Sequence, residues 1–252
     1  CGLGVLPLMI KGVDPVKHRG LGYAMAAGLM FSASVYNLIL PALNMRSDHQ
    51  TMPIVVPVLI GLFGGAGFLA LTEKLMPEEA EPEKLPEKQP GEQTPANPFA
   101  GWGGRLGLLV FLAMTVHSIP EGVAVGVGYT SDSHDMSQGL GPLLALAIAI
   151  HNIPEGLAVA IPMRSNNVPY WKCFIAAVIT SVPQPLATIP AVLLAWFFEP
   201  LMPVLMGFAA GAMIFLVVLE LIPEALHTEN AQRTSWAFLI GFALMLLIQV
   251  LL

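Results

Sequence analysis

Two short runs place chemistry-bearing residues at helical spacing: HSIPEGVAVG at 117–126 and HNIPEGLAVA at 151–160. In each run a histidine precedes a glutamate by four positions, His117 with Glu121 and His151 with Glu155. Imidazole and carboxylate then stack one turn apart on a single helix face. Both groups are ligands for Zn²⁺ and related divalent ions, and two such faces turned together supply four donors. Pro120 and Pro154 sit between the members of each pair. An interior proline withholds one N–H and pushes away the carbonyl four residues back, here that of Val116 or Ile150. In lipid, a carbonyl freed in this way is tolerated only where protein, water or an ion satisfies it. Gly122 with Gly126, and Gly156 with Ala160, form stripes of small residues that predict close approach of the two helices. A lone His–Glu pair reads equally well as mutual neutralisation inside a packed bundle. Its recurrence with proline and glycine at the same places favours a binding site.

The elements that must hold these residues are membrane helices. Of 252 residues, 55% are hydrophobic and 11% charged, with mean hydropathy +0.71, whereas soluble domains carry roughly 25% charged residues. A crossing helix needs about 20 mostly apolar residues. Stretches of that kind lie at 20–43, 53–72, 106–129, 140–163, 173–198 and 201–226, and a further one at 235–252 is just long enough. Residues 1–10 are apolar but short and do not begin with Met, which predicts the end of a truncated first helix and eight spans in all. No run has the cationic start and cleavage site of a signal peptide.

The 11 Lys and Arg and 17 Asp and Glu give 28 charges to place. If the spans alternate, ten cations fall on one side (Lys11, Lys17, Arg19, Lys74, Lys84, Lys88, Arg105, Arg164, Lys172, Arg233) and only Arg46 on the other. Lys and Arg mark the cytoplasmic side of short loops, so the loop between the third and fourth spans is cytoplasmic and both termini are extracytoplasmic or lumenal. That loop, 73–100, contains seven Glu and six Pro. Such a composition buries too little apolar area to offset ordering, which predicts a disordered acidic linker. Cys1 and Cys173 offer neither a metal spacing nor a disulfide framework, and His18, His49, His134 and His227 lie at or beyond span ends.

Four acids remain inside spans: Glu121, Glu155, Glu220 and Glu224, with no Lys or Arg inside any span to pair with them. Ionised acids are costly at mid-bilayer. Buried negative charge without buried positive charge favours a cation pathway. A weaker internal similarity relates AAGLM with NLILPAL in the second span to AAGAM with ELIPEAL in the seventh, aligning Asn37 with Glu220. Those spans run in opposite directions, so the pattern suggests an inverted repeat, a design that puts binding sites near the membrane midplane.

The paired HSIPEG and HNIPEG motifs, the N-terminal CGLGVLPL, the AAG-x-M segment and the long third loop together resemble the ZIP (Zrt/Irt-like) divalent-metal transporters over essentially the full chain. The resemblance implies an all-α integral membrane fold of eight transmembrane helices in a 3+2+3 bundle. Residues 1–72 would form helices 1 to 3, 73–100 the acidic cytoplasmic loop, 101–170 the metal-binding core of helices 4 and 5, and 171–252 helices 6 to 8. It implies uptake of Zn²⁺, and often Fe²⁺, Mn²⁺ or Cd²⁺, into the cytoplasm by alternating access, helices 1, 4, 5 and 6 sliding against 2, 3, 7 and 8. The primary site would comprise His117, Glu121, His151 and Glu155, with Met30 lining it. Positions that build a second site in many members read Ser118, Asn152 and Gln184 here. The helix 6 carboxylate is thus a neutral amide, which points to one principal metal. Glu220 is assigned to the exit route or proton handling. The third loop lacks the His-rich stretch of many members.

The expected partners are divalent metal ions and the lipid bilayer, with no nucleic acid and no resident cofactor, and the resemblance allows a homodimer. An intramembrane zinc metalloenzyme would use the same His/Glu face to activate water, but no HExxH is present and no separate acid or base can be named. A metal sensor without flux is the other alternative.

Overall fold

A computed structural model describes residues 1–9, 18–44, 53–75, 104–131 and 140–251. The acidic linker beyond Leu75, and the loops that carry Lys11, Lys17, Arg46, Lys84 and Lys88, lie outside the described residues. All regular structure among the described residues is helical. The chain opens with a 3-10 turn, Gly2–Met9, and continues through α1 (Arg19–Ala33), a π turn (Ser34–Ile39) and α2 (Leu40–Asn44). There follow α3 (Val55–Leu75), α4 (Gly104–Ser131), α5 (Leu140–Ser165), α6 (Tyr170–Ser181), α7 (Pro183–Leu193) and α8 (Ala195–Phe198). The last elements are α9 (Met202–Leu216), a π turn (Val217–Leu221), α10 (Ile222–Thr228) and α11 (Ala231–Leu251).

Six helical stretches among the described residues are long and apolar enough to cross a membrane, and α5 adds a rod of 26 residues. The segment expected to end a first α-helix is a 3-10 turn of 8 residues instead. Pro7 withholds an N–H, and the chain here presses on α5: a Cβ on Gly4 would lie 2.2 Å from the Ile153 carbonyl oxygen. The expected span 173–198 is interrupted at Val182 and Leu194. Pro183 and Pro185 remove two successive chances to continue the hydrogen-bond ladder across the first break.

Burial separates inner from outer elements. In Gly104–Thr130, 67% of the apolar window is buried, against 22% in Val55–Leu75, Tyr170–Leu193 and Ala231–Leu251. The outer helices expose Phe63, Ile189 and Ile240, a surface that suits lipid rather than water. Trp171 and Trp236 are also exposed, in the opening turns of α6 and α11, where an indole suits the boundary between lipid and water.

The internal similarity has a structural counterpart. Each copy widens into a π turn just ahead of a proline, Ser34–Ile39 before Pro41 and Val217–Leu221 before Pro223. The missing proline N–H leaves an acceptor unfilled that a wider turn accommodates. Glycine contacts repeat as well. A Cβ on Gly28 would meet the backbone at Phe238 and Phe242, and one on Gly211 the backbone of Leu62. Likewise Gly241 meets Met25, and Gly61 meets Phe208. Gly28 maps to Gly211 and Met25 to Phe208 by one step of 183 residues; Leu62 maps to Phe242 and Gly61 to Gly241 by one step of 180. The α1–α11 and α3–α9 crossings are therefore two copies of one packing arrangement.

Candidate metal centre

Helix α4 runs unbroken through Pro120 and carries His117 and Glu121; α5 runs through Pro154 and carries Asn152 and Glu155. His117 is 1% exposed, Glu121 and Glu155 each 4%. One ligand atom from each of these three residues lies within 4.8 Å of the others. Nδ1 of His117 is 3.7 Å from Oε1 of Glu121 on its own helix and 3.7 Å from Oε1 of Glu155 on the neighbouring one. Donors around a four-coordinate Zn²⁺ with bonds near 2.0–2.1 Å stand about 3.4 Å apart, a spacing close to the 3.7 Å from His117 Nδ1 to each carboxylate oxygen. Both ring nitrogens of His117 are buried with no hydrogen-bond partner among the described residues. A buried polar group without such a partner is costly, and an imidazole facing two carboxylates is suited to a cation.

The remaining sequence candidates are placed as follows. His151 lies on α5, one residue before Asn152; its side chain lies outside the described residues. Asn152 donates from Nδ2 to Gln184 Oε1 at 2.8 Å, and Gln184 Nε2 donates to Asn152 Oδ1 at 3.2 Å and to Glu121 Oε2. The acceptor oxygen of Gln184 is thus occupied by Asn152. The Ser118 hydroxyl is shared between the carbonyls of Met114 at 3.0 Å and Thr180 at 2.6 Å, the latter beside the break between α6 and α7. Met30 is fully buried in the core, on α1, which packs against α5.

Two readings from the residues are corrected. The glycines of the small-residue stripes face elements other than the α4–α5 pair. A Cβ on Gly122 would lie 2.1 Å from the Gln184 carbonyl oxygen and one on Gly126 2.6 Å from Ala191 Cβ, both on α7. A Cβ on Gly156 would lie 1.8 Å from the Cys1 carbonyl oxygen. Backbone-level contact with α7 and with Cys1 meets these glycines, and Thr188 adds a hydrogen bond to the Gly122 carbonyl at 2.9 Å. Nor is Glu220 without a cation. Arg105, in the first turn of α4, lies 3.4 Å from it and also pairs with Glu73. The sequence expectation counted Arg105 as a loop residue; the helix starts at Gly104, two residues before the expected span, and the long side chain carries its charge inward. Thr188 gave no sequence signal, being one hydroxyl in an apolar run.

The family model described as ZIP Zinc transporter matches residues 78–249, about two thirds of the sequence. The chain belongs to the ZIP family. Curated relatives span nearly all of it. Zinc transporter ZIP11 of Xenopus tropicalis is 30% identical, covering 99% of this chain and 92% of its own length. Zinc transporter ZIPB of Bordetella bronchiseptica is 34% identical, covering 97% of this chain and 76% of its own. Zinc transporter GufA of Myxococcus xanthus is 29% identical, over 96% and 92%. As a ZIP family member with these long apolar helices, the chain is a multi-pass membrane protein.

Proposed function

We propose that this chain carries Zn²⁺, and secondarily Fe²⁺, Mn²⁺ or Cd²⁺, into the cytoplasm by alternating access. Its site is formed by His117, Glu121, His151 and Glu155, bordered by Ser118, Asn152, Gln184 and Met30. The observation that carries the reading is the buried group of His117, Glu121 and Glu155, whose donor atoms lie within 4.8 Å of one another. Relatives named as zinc transporters support the choice of ion. The excess of Lys and Arg on one side of the alternating spans supports entry toward that side.

Packing supports alternating access. Gly28 and Gly241 hold α1 to α11, and Gly61 and Gly211 hold α3 to α9, at backbone distance. Gly4 and Gly156 join the N-terminal segment to α5, and Gly122 and Gly126 join α4 to α7, in the same way. The metal-binding group belongs to the second set. Two rigid bodies that slide past each other would expose it to one side of the membrane and then to the other.

The test is Zn²⁺ uptake into proteoliposomes holding the purified full chain. His117→Ala, Glu121→Ala, His151→Ala and Glu155→Ala should each lower the initial rate by at least about tenfold. Rates equal to the parent in all four would sink the site assignment; no flux in the parent would sink the transport reading.

A further inference from the structure

Glu121 turns its two oxygens to different partners. Oε1 faces His117 Nδ1 at 3.7 Å, alongside Oε1 of Glu155 at the same distance. Oε2 accepts a hydrogen bond from Gln184 Nε2. Asn152 pairs with both ends of that amide: its Nδ2 donates to Gln184 Oε1 at 2.8 Å and its Oδ1 accepts from Gln184 Nε2 at 3.2 Å. A flipped Gln184 would set its oxygen against the carboxylate and against Asn152 Oδ1, and its NH₂ against the Asn152 donor, three repulsive contacts in place of three hydrogen bonds. The position of Gln184 is itself set by packing. Its carbonyl would lie 2.1 Å from a Cβ on Gly122, and Thr188, one turn on, bonds the carbonyls of both Gly122 and Gln184 at 2.9 Å.

We propose that Gln184 is a positioning residue that makes Glu121 a one-oxygen ligand, with Asn152 holding its amide in the donating orientation, and that this pair tilts the site toward Zn²⁺ over Mn²⁺. The inference rests on the metal-transport reading of the same site. A carboxylate with one oxygen held by an amide meets an ion through the other. A set of single donors suits the four-coordinate geometry of Zn²⁺. Mn²⁺ takes six ligands in an oxygen-rich octahedron, so it loses more when a carboxylate cannot chelate with both oxygens. The amide N–H also directs partial positive charge at the flank of Glu121, where an additional cation would otherwise be drawn.

The experiment compares Zn²⁺ and Mn²⁺ uptake by the full chain in proteoliposomes, as kcat/KM for each ion. Gln184→Leu keeps the bulk and removes the donor. Gln184→Glu keeps the shape and replaces the donor with an acceptor, so one variant stands if the other fails to fold. In both, the Zn²⁺-to-Mn²⁺ ratio should fall about tenfold, chiefly through KM. Asn152→Ala, which frees the amide to turn, should lower the ratio by a smaller factor. A purely structural role would reduce both ions alike, so an unchanged ratio in the Gln184 variants overturns the inference; an unchanged ratio in Asn152→Ala alone overturns the part given to Asn152. A parent that moves neither ion overturns the transport reading instead. The Zn²⁺ and Mn²⁺ affinities of the detergent-purified protein, measured by calorimetry, then decide the inference by the same change of ratio.

Discussion

Arg105 and Glu220 form an ion pair between α4 and the π turn Val217–Leu221, with Nη1 and Oε1 3.4 Å apart and only 20% and 19% of the side chains exposed. The same guanidinium holds Glu73 in the last turn of α3. It is a charged contact from the helix that carries His117 to α3 and to the π turn that follows α9; α3 and α9 are the two helices that Gly61 and Gly211 hold together. Breaking such a pair by removing one partner leaves a poorly solvated charge, whereas removing both charges does not.

Arg105→Met should therefore destabilise the protein by about 1–3 kcal/mol, and adding Glu220→Gln should recover part of the loss. Thermal unfolding of the detergent-purified variants measures both. Additive losses in the double variant would show that the pair is not the source of the effect.

The buried group of His117, Glu121 and Glu155, read as a metal site, predicts opposite effects on stability and on ligand response. Glu121 and Glu155 bring two carboxylates together in a buried site, and like charges at that range oppose each other when both are ionised. Glu155→Gln should raise the unfolding temperature of the metal-free protein. Added Zn²⁺ at a hundredfold over its dissociation constant should stabilise the parent by about 2.7 kcal/mol, and that shift should vanish in the variant. A retained shift would remove Glu155 from the site.

The repeated helix crossings make a sharp comparison of glycines. A Cβ would lie 2.0 Å from the Phe238 carbonyl at Gly28 and 1.9 Å from the Leu62 carbonyl at Gly211, but meets nothing within 4 Å at Gly67. Gly28→Ala and Gly211→Ala should each cost at least about 1–3 kcal/mol, because backbone must move. Gly67→Ala should gain up to about 1 kcal/mol from helix propensity. Chemical or thermal unfolding ranks the three, and equal behaviour would contradict the close crossings.

Ser118 supplies a test of the break between α6 and α7. Its hydroxyl bonds the Thr180 carbonyl at 2.6 Å, next to a segment where Pro183 and Pro185 withhold two N–H groups. Ser118→Ala should cost about 1 kcal/mol, whereas Ser118→Thr should keep most of it. Unfolding midpoints of the two variants decide this, and an Ala variant as stable as the parent would mean that the carbonyl is satisfied without the hydroxyl.

Hydrophobic run length and the placement of charge made most of the helices legible, because lipid admits only long apolar helices whose backbone is satisfied internally. The His117–Glu121 face was equally legible, since residues four apart on a helix must share a side. The alignment of Asn37 with Glu220 anticipated a repeat that reappears as two π turns and two matching glycine crossings.

What needed the folded chain was every relationship between helices. Periodicity says that Gly122 and Gly126 form a close-contact face but not which helix fills it; α7 does, because its carbonyls reach the space their missing side chains leave. Charge counting left Glu220 alone because Arg105 belonged to a loop on paper, and only the length and direction of its side chain in three dimensions join them. Gln184 read as a lost carboxylate. In the bundle it is a donor aimed at Glu121 and held by Asn152, since an amide's role depends on which neighbours its two ends meet.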